Sequence, residues 1–278
     1  MDQPGHRSAT GLLAVDGGDL YYEVEGAGEA LVLIHGFLGN LRMWDFQAQA
    51  LTRSYRVVRC DMRGFGRSTT EHVEFAYWAD VAALLDHLGV DRAHVVGQSF
   101  GGSIALDLAL AQPARVATLT SVAGGIGGYR PDLGPEEDSV PWTDMDRLWD
   151  EKKWGELAEL ETQVWVDGWG QPTTRVSRTL RNSVKGDVFS TYAAENEEGL
   201  PQPLEPRAAD RLGELTVPVL VMIGTLDEVR SRATAAHLVA SVPGSRFVEV
   251  AGVAHMIQLE APERVNEVLR DFIQDHRF

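Results

Sequence analysis

The chain has 278 residues and a formal net charge of −16, from 41 acidic and 25 basic residues. This length is sufficient for an α/β domain with a large core, and 44% hydrophobic and 24% charged residues are typical of globular proteins. The negative charge excludes nucleic acid and anionic membranes as expected partners, because like charges repel. The single cysteine, Cys60, excludes an internal disulfide and a multi-cysteine metal site.

No targeting or membrane segment is predicted. Residues 1–7 contain no apolar stretch of the kind that a signal peptide requires, and no window has the apolar length needed to span a bilayer. The sequence therefore predicts a cytoplasmic protein.

Strands and helices alternate in the first part of the chain. The predicted strands are Gly11–Val15, Leu20–Val24, Leu31–Ile34, Tyr55–Cys60, Ala93–Val96 and Val116–Val122. The first two strands should form a β-hairpin. Asn40, after the strand Leu31–Ile34, is the predicted N-cap of a first helix. A second helix is predicted up to Gly89, and a third over Ser103–Ala111. This alternation favours a parallel sheet with helices on both faces.

The alternation of strands and helices stops after Ala123. Five of the seven tryptophans follow in a segment that is first rich in Gly and Pro and then amphipathic, with a predicted helix over Leu148–Val166. We interpret residues 125–206 as a helical cap whose aromatic side chains face a mostly apolar pocket. The alternative is that its tryptophans only pack the insertion onto the main domain.

Alternation resumes in the last part of the chain. A strand over Pro218–Ile223 precedes Asp227, and a strand over Arg246–Val250 precedes His255. Helices are predicted over Ser231–Val242 and Pro262–Ile273. The predicted domain organisation is thus a core of residues 1–124 and 207–278 with the cap of residues 125–206 inserted.

The segment Gly97-Gln98-Ser99-Phe100-Gly101 is the strongest functional motif. It has the Gly-X-Ser-X-Gly pattern between a buried strand and a helix, where the two glycines remove Cβ atoms that would collide at a sharp turn. Ser99 is then held in a strained conformation with its hydroxyl above the sheet edge. The alternative is a glycine-rich turn that contains a serine by chance. The flanking strand and helix favour Ser99 as a nucleophile.

A serine nucleophile needs a base and a group that orients the base. In open α/β sheets, functional residues lie beyond the carboxyl ends of the strands, and His255 and Asp227 both follow strands there. The other histidines lie in terminal, loop or helical positions, or at the opposite end of a strand. We therefore predict His255 as the base and Asp227 as the acid, with a structural histidine as the alternative for His255.

The loop after Leu31–Ile34 should supply an oxyanion donor. Gly36 allows close approach of the backbone, so the N–H groups of Phe37 and Phe100 can act together. His35 is predicted to fix this loop, and Asp61, Arg63 and Arg67 to form a salt-bridged turn that supports it. No acidic or histidine spacing resembles a metal site, and no loop has the dinucleotide-binding pattern.

Together these motifs resemble the α/β-hydrolase superfamily. The matching segments are His35–Phe37, Asp61–Ser68, Gly97–Gly102, Gly224–Asp227 and His255–Pro262. The resemblance implies an α/β-hydrolase fold with a mostly parallel eight-stranded sheet and a cap after the sixth strand. It also implies hydrolysis through an acyl-serine without a cofactor. Serine rather than aspartate at the turn argues against epoxide hydrolases and haloalkane dehalogenases.

The resulting hypothesis is a serine esterase or lactonase acting on small apolar substrates. Trp142, Trp165 and Met256 are the predicted substrate-binding residues. Alternatives are a carbon–carbon bond hydrolase with the same triad and a ligand-binding receptor on a hydrolase scaffold. The only predicted partner is a small-molecule ester or lactone. A homodimer is compatible with the sequence, which does not determine the oligomeric state.

Overall fold

The computed structural model describes residues 8–134, 139–194 and 198–278. The prediction that no signal peptide is present concerns residues 1–7, which lie outside the described residues. Both internal gaps fall within the predicted cap. Within the described ranges, no helix is long and apolar enough to cross a membrane.

Eight strands form one mostly parallel sheet, as predicted, and two very short strands pair separately. The strands are β1 (Ser8–Val15), β2 (Gly18–Glu25), β3 (Ala30–Ile34), β4 (Arg56–Cys60), β5 (Glu74–Phe75), β6 (Ala93–Gln98), β7 (Val116–Val122), β8 (Leu200–Pro201), β9 (Val219–Gly224) and β10 (Arg246–Val250). The order in the large sheet is β1-β2-β4-β3-β6-β7-β9-β10, with β2 antiparallel to both of its neighbours.

The central strands are buried along their whole length because helices cover both faces. Every residue of β3, β6, β7 and β9 is buried. Burial on both faces explains why β3 and β9 read as continuous apolar runs rather than alternating ones. The helices are α1 (Asp45–Leu51), α2 (Tyr77–His87), α3 (Phe100–Ala111), α4 (Trp142–Asp150), α5 (Trp154–Thr162), α6 (Arg178–Ala193), α7 (Ala208–Arg211), α8 (Val229–Ser241), α9 (Ile257–Glu260) and α10 (Pro262–Gln274).

The segment between β7 and β9 contains the helices α4, α5 and α6. The single helix predicted over Leu148–Val166 is wrong. The chain instead breaks at Lys152, which has a φ of 54°, and α5 ends in a π-helical turn over Gln163–Gly168. A positive φ ends a helix because the backbone can no longer make the regular i to i−4 hydrogen bonds. The break makes α4 and α5 a packed pair.

Local predictions in the first half of the chain have mixed outcomes. Asn40 caps as predicted, accepting a hydrogen bond from the N–H of Arg42. The predicted salt-bridged turn of Asp61, Arg63 and Arg67 is wrong, because these side chains do not pair with one another. Asp61 accepts hydrogen bonds from the backbone N–H groups of Leu41 and Arg67, whereas the guanidinium of Arg63 pairs with Asp80 on α2.

Candidate active site

The turn at Ser99 has the strained geometry that the motif predicts. Ser99 has a φ of 52°, and its N–H donates to the carbonyl of Val122 at the end of the neighbouring β7 (2.9 Å). A Cβ at Gly97 would lie 2.0 Å from the carbonyl oxygen of Gly101, and one at Gly101 would lie 2.4 Å from that of Ile34. Only glycine fits at both positions, so the strand can turn directly into α3.

His255 and Asp227 are hydrogen-bonded neighbours, although 28 positions separate them in sequence. The Nδ1 atom of His255 lies 2.8 Å from Oδ2 and 3.0 Å from Oδ1 of Asp227, and both side chains are buried. The N–H of Glu228 donates to Oδ1 of Asp227 (2.8 Å), which fixes the carboxylate. Because Nδ1 is engaged by Asp227, Nε2 is the ring nitrogen left to accept a proton from another group.

The electrostatics around His255 favour its charged form. Burial lowers the pKa of the imidazole, but the charge of Asp227 and its hydrogen bond outweigh this, with smaller contributions from Glu228 and Glu260. The pKa of His255 is therefore raised above its ordinary value. This arrangement stabilises an imidazolium, the species that a general base becomes after taking a proton.

The two predicted oxyanion donors lie on neighbouring strand ends. β3 pairs with β6 so that Ile34 is opposite Gly97, which brings the Gly36–Phe37 loop against the turn. A Cβ at Gly36 would lie 2.1 Å from Oε1 of Gln98 and 3.2 Å from Cβ of Ser99. Among the described residues, the N–H groups of Phe37 and Phe100 make no hydrogen bond. Both donors are thus available to an oxygen atom beside Ser99.

Two buried side chains hold the loops around the turn. His35 contacts the carbonyl of Gly36 through Nδ1 (2.8 Å) and accepts from the N–H of Met62 through Nε2 (2.9 Å), as its predicted structural role requires. Gln98 donates from Nε2 to the carbonyl of His255 (3.2 Å). Gln98 therefore links the Ser99 turn to the His255 loop, a connection that the sequence analysis missed.

Ser99 and His255 both line two neighbouring cavities. The first, here the cap cavity, has a volume of about 360 Å³ and its further lining residues are Phe37, Leu38, Met145, Asp146, Trp149, Leu157, Glu161, Trp165 and Tyr192. The second, here the loop cavity, has about 220 Å³ and is lined further by Ala123, Gly124, Gly125, Tyr129, Arg130, Pro131, Trp165, Glu228, Arg230, Ser231 and Thr234. The site is open to small molecules on both sides of Ser99.

Trp165 borders both cavities. It lies in the π-helical turn, and its ring centroid is 4.6 Å from that of His255. Trp142 contacts Trp165 at 5.8 Å between ring centroids but is not among the residues that line either cavity. Met256 also lies outside both linings. It is 1% exposed in the core, because the chain turns into α9 directly after His255.

The sequence analysis missed Trp149, Glu161 and Tyr192 in the cap cavity. One signal was present for Glu161. It precedes Trp165 by four positions, so the two share a helical face, and the indole Nε1 donates to the carboxylate. Tyr192 and Trp149 come from α6 and α4, and their meeting with Glu161 depends on how these helices pack.

The described residues contain no cluster of three or more histidine, cysteine or acidic side chains that could hold a metal ion. Cys60 is buried, and burial raises the pKa of its thiol, so it is a core residue rather than a reactive group.

The fold, the turn at Ser99 and the comparison with protein families all indicate the same class of protein. The chain belongs to the α/β-hydrolase fold family, whose model matches residues 29–262. It is therefore a hydrolase-fold protein with its candidate site at the carboxyl ends of the central strands.

Similar proteins within this family have different activities. The chain is 30% identical to "Putative carbamate hydrolase RutD" of Azorhizobium caulinodans, covering 91% of this chain and 94% of the relative. It is 28% identical to a 2-hydroxy-6-oxononadienedioate/2-hydroxy-6-oxononatrienedioate hydrolase of Pseudomonas putida, covering 92% and 91%. Among solved structures, the N-acyl homoserine lactone degrading enzyme Est816 superposes with a TM-score of 0.74 at 28% identity, covering 94% of this chain and all of the other.

Proposed function

We propose that this protein is a serine hydrolase that cleaves carboxylic esters or lactones of small, largely apolar molecules. The observation that carries the proposal is that the strained Ser99 and His255, which is paired with the buried Asp227, line the same two cavities. The N–H groups of Phe37 and Phe100, which have no hydrogen-bond partner among the described residues, lie in the loop beside Ser99 and directly after it. This is the constellation that acyl transfer through a serine requires.

In the proposed reaction, Ser99 Oγ attacks the substrate carbonyl carbon while Nε2 of His255 takes the hydroxyl proton. The N–H groups of Phe37 and Phe100 stabilise the oxyanion of the tetrahedral intermediate. His255 returns the proton to the leaving alkoxide, which departs as an alcohol and leaves an acyl-serine. A water molecule, deprotonated by His255, then attacks the acyl-serine. The bond from the acyl carbon to Ser99 Oγ breaks, His255 returns the proton to Oγ, and the carboxylic acid leaves.

The two cavities support a substrate that extends on both sides of its carbonyl. Trp165 would separate the acyl part from the alcohol part, because it lines both cavities beside His255. The lactonase named among the similar structures supports the lactone half of the proposal, since a lactone is an internal ester.

The test is hydrolysis of chromogenic acyl esters of increasing chain length and of several lactones, with the parent and Ser99→Ala side by side. We expect turnover by the parent and a loss of about 10⁴-fold or more in the variant, because the nucleophile is removed. Ser103→Ala, one helical turn later in α3, is the matched control and should retain activity. Equal activity of the parent and Ser99→Ala would overturn the mechanism.

Carbon–carbon bond hydrolysis is the second candidate. Arg130 and Arg230 line the loop cavity, and guanidinium groups are suited to binding a carboxylate such as that of a dioate substrate. The Pseudomonas putida relative is named for such a substrate. Turnover of a vinylogous 1,5-diketone dioate without turnover of any ester would favour this candidate over the first.

A further inference from the structure

The cap cavity has a composition suited to a positive charge. It combines aromatic rings with carboxylates, and among the described residues that line it His255 is the only basic side chain. The aromatic and acidic members are Phe37, Trp149, Trp165, Tyr192, Asp146 and Glu161. The loop cavity, which Trp165 also borders, is lined by two arginines and one carboxylate, that of Glu228. The two halves of the site therefore differ in electrostatic character.

Glu161 is the central charge of the cap cavity. Its Oε1 accepts a hydrogen bond from the Tyr192 hydroxyl (3.0 Å), and its Oε2 accepts one from the indole N–H of Trp165. Because each oxygen accepts from a neutral donor, the geometry fits an ionised carboxylate. Burial raises the pKa of Glu161, while these two hydrogen bonds and nearby His255 oppose the rise.

Two neighbouring carboxylates, Glu159 and Asp167, are paired with basic side chains. Arg181 pairs with both Glu159 and Asp167, at 2.5 and 2.9 Å, and Lys185 pairs with Glu159 at 2.7 Å. Across the described ranges, Glu161 forms no ion pair with a lysine or arginine. Both hydrogen-bond donors to Glu161 are therefore neutral, and the basic side chain near it is His255 in the same cavity.

The aromatic rings around this carboxylate supply the second element of cation recognition. The rings of Trp149 and Tyr192 meet edge to face at 5.2 Å, and Phe37 lies 6.4 Å from Tyr192. The faces of tryptophan and tyrosine rings attract alkylated ammonium groups, which carry a diffuse charge and an apolar surface. A carboxylate beside such rings strengthens the attraction.

We propose that the cap cavity binds an alkylated ammonium group of the substrate, so that the preferred substrates are small esters that carry one cationic group on an otherwise apolar skeleton. The proposal rests on the proposed ester hydrolysis and defines its substrate class. The ammonium group occupies the cap cavity beside Glu161, and the ester carbonyl lies at Ser99, which lines the same cavity.

The first experiment compares two isosteric esters, butyrylcholine and 3,3-dimethylbutyl butyrate, which differ only in a nitrogen or carbon atom at the branched centre. We expect the parent to hydrolyse the cationic ester with a kcat/KM about ten-fold higher or more. A parent that hydrolyses both equally, or prefers the neutral ester, overturns the proposal but leaves the ester-hydrolase function standing.

Variants that remove a single negative charge test whether the preference for the cationic ester depends on Glu161. Glu161→Gln should reduce the ratio of the two kcat/KM values about ten-fold, because the charge is lost while the size of the side chain is kept. Glu156→Gln is the matched control. It removes the same charge from an exposed position of the same helix and should leave the ratio unchanged. A ratio that is unchanged in Glu161→Gln would contradict the assignment.

A binding measurement separates this inference from the catalytic proposal. Isothermal titration of Ser99→Ala with choline and with 3,3-dimethylbutan-1-ol should detect tighter binding of choline, and Glu161→Gln introduced into that variant should abolish the difference. This result with no ester turnover by the parent would retain the cation site and overturn the ester-hydrolase proposal. Equal binding of the two alcohols would overturn the cation site.

Discussion

At the scale of single residues, the candidate site depends on three side chains in unusual environments. Ser99 has a positive φ, a conformation that costs about 1–3 kcal/mol of strain. The neighbouring glycines and the hydrogen bond from the N–H of Ser99 to the carbonyl of Val122 maintain this conformation. His255 and Asp227 are nearly inaccessible to solvent, with side-chain exposures of 4% and 0%. Their attraction is therefore weakly screened, and it sets the charge state of the base.

The pH dependence of activity follows from this pair. The proposed base, His255, can take a proton only when it is neutral, and its pKa is raised. The acidic limb of the pH profile of kcat/KM should therefore lie above the pH expected for an ordinary histidine. Asp227→Asn removes the main group that raises the pKa. We expect the limb to move to lower pH, and kcat to fall about 10⁴-fold because the imidazole loses its orientation.

The measurement is a pH–rate profile of the parent and Asp227→Asn on one activated ester. Asp210→Asn, on the short helix α7, is a control that removes a carboxylate away from the site and should leave both the limb and kcat in place. A limb that does not move in Asp227→Asn would mean that the titrating group is not His255.

At the scale of elements, Arg175 connects the π-helical turn Gln163–Gly168 to the loop that carries His255. Its guanidinium donates to the carbonyls of Val166 and Asp167 in the π-helical turn, and to that of Gly252 after β10 (2.9 Å). It also pairs with the buried Glu260 (2.6 Å), which in turn accepts from the N–H of Ala254 (3.0 Å). The turn bearing Trp165 is thereby fixed relative to His255.

Replacing Arg175 by methionine should loosen this connection. The substitution leaves Glu260 buried without its cation, and we expect the free energy of unfolding to fall by about 3 kcal/mol. KM and kcat should change together, because Trp165 is less firmly held beside His255. Chemical denaturation and steady-state kinetics measure the two effects.

Arg178→Met tests whether the effect is specific. Arg178 is exposed at the start of α6, so its loss should change neither stability nor kinetics appreciably. Equal destabilisation by the two variants would show that Arg175 has no special structural role.

At the scale of the whole molecule, the net charge of −16 creates a field that attracts cations. Salt screens this field, with a Debye length of about 10 Å at 0.1 M ionic strength. The kcat/KM for a cationic ester should therefore fall as the salt concentration rises, while that for its neutral isostere should stay constant. Parallel assays over a sodium chloride series measure this difference, and an equal response of both esters would contradict it.

The sheet and the turn at Ser99 were predictable because they depend on short-range constraints. Apolar runs such as Leu31–Ile34 and Val219–Ile223 identify central strands, since only a strand covered on both faces tolerates an apolar residue at every position. The sharp turn requires glycine at positions 97 and 101, because a Cβ at either would collide with the backbone. Both glycines lie within one five-residue motif, so the sequence alone predicts the turn. The break at Lys152 was not visible, because lysine carries no intrinsic preference for positive φ.

The sequence by itself determined the fold class, the Ser99 turn and the two loops from which Asp227 and His255 approach it, because strand ends in a parallel sheet share one edge. Only the tertiary structure decided what surrounds them. Glu161, Tyr192 and Trp149 meet because α4, α5 and α6 pack against one another, and that packing depends on side chains distant in sequence. Met256, adjacent to His255 in sequence, lies in the core because the chain turns into α9 there.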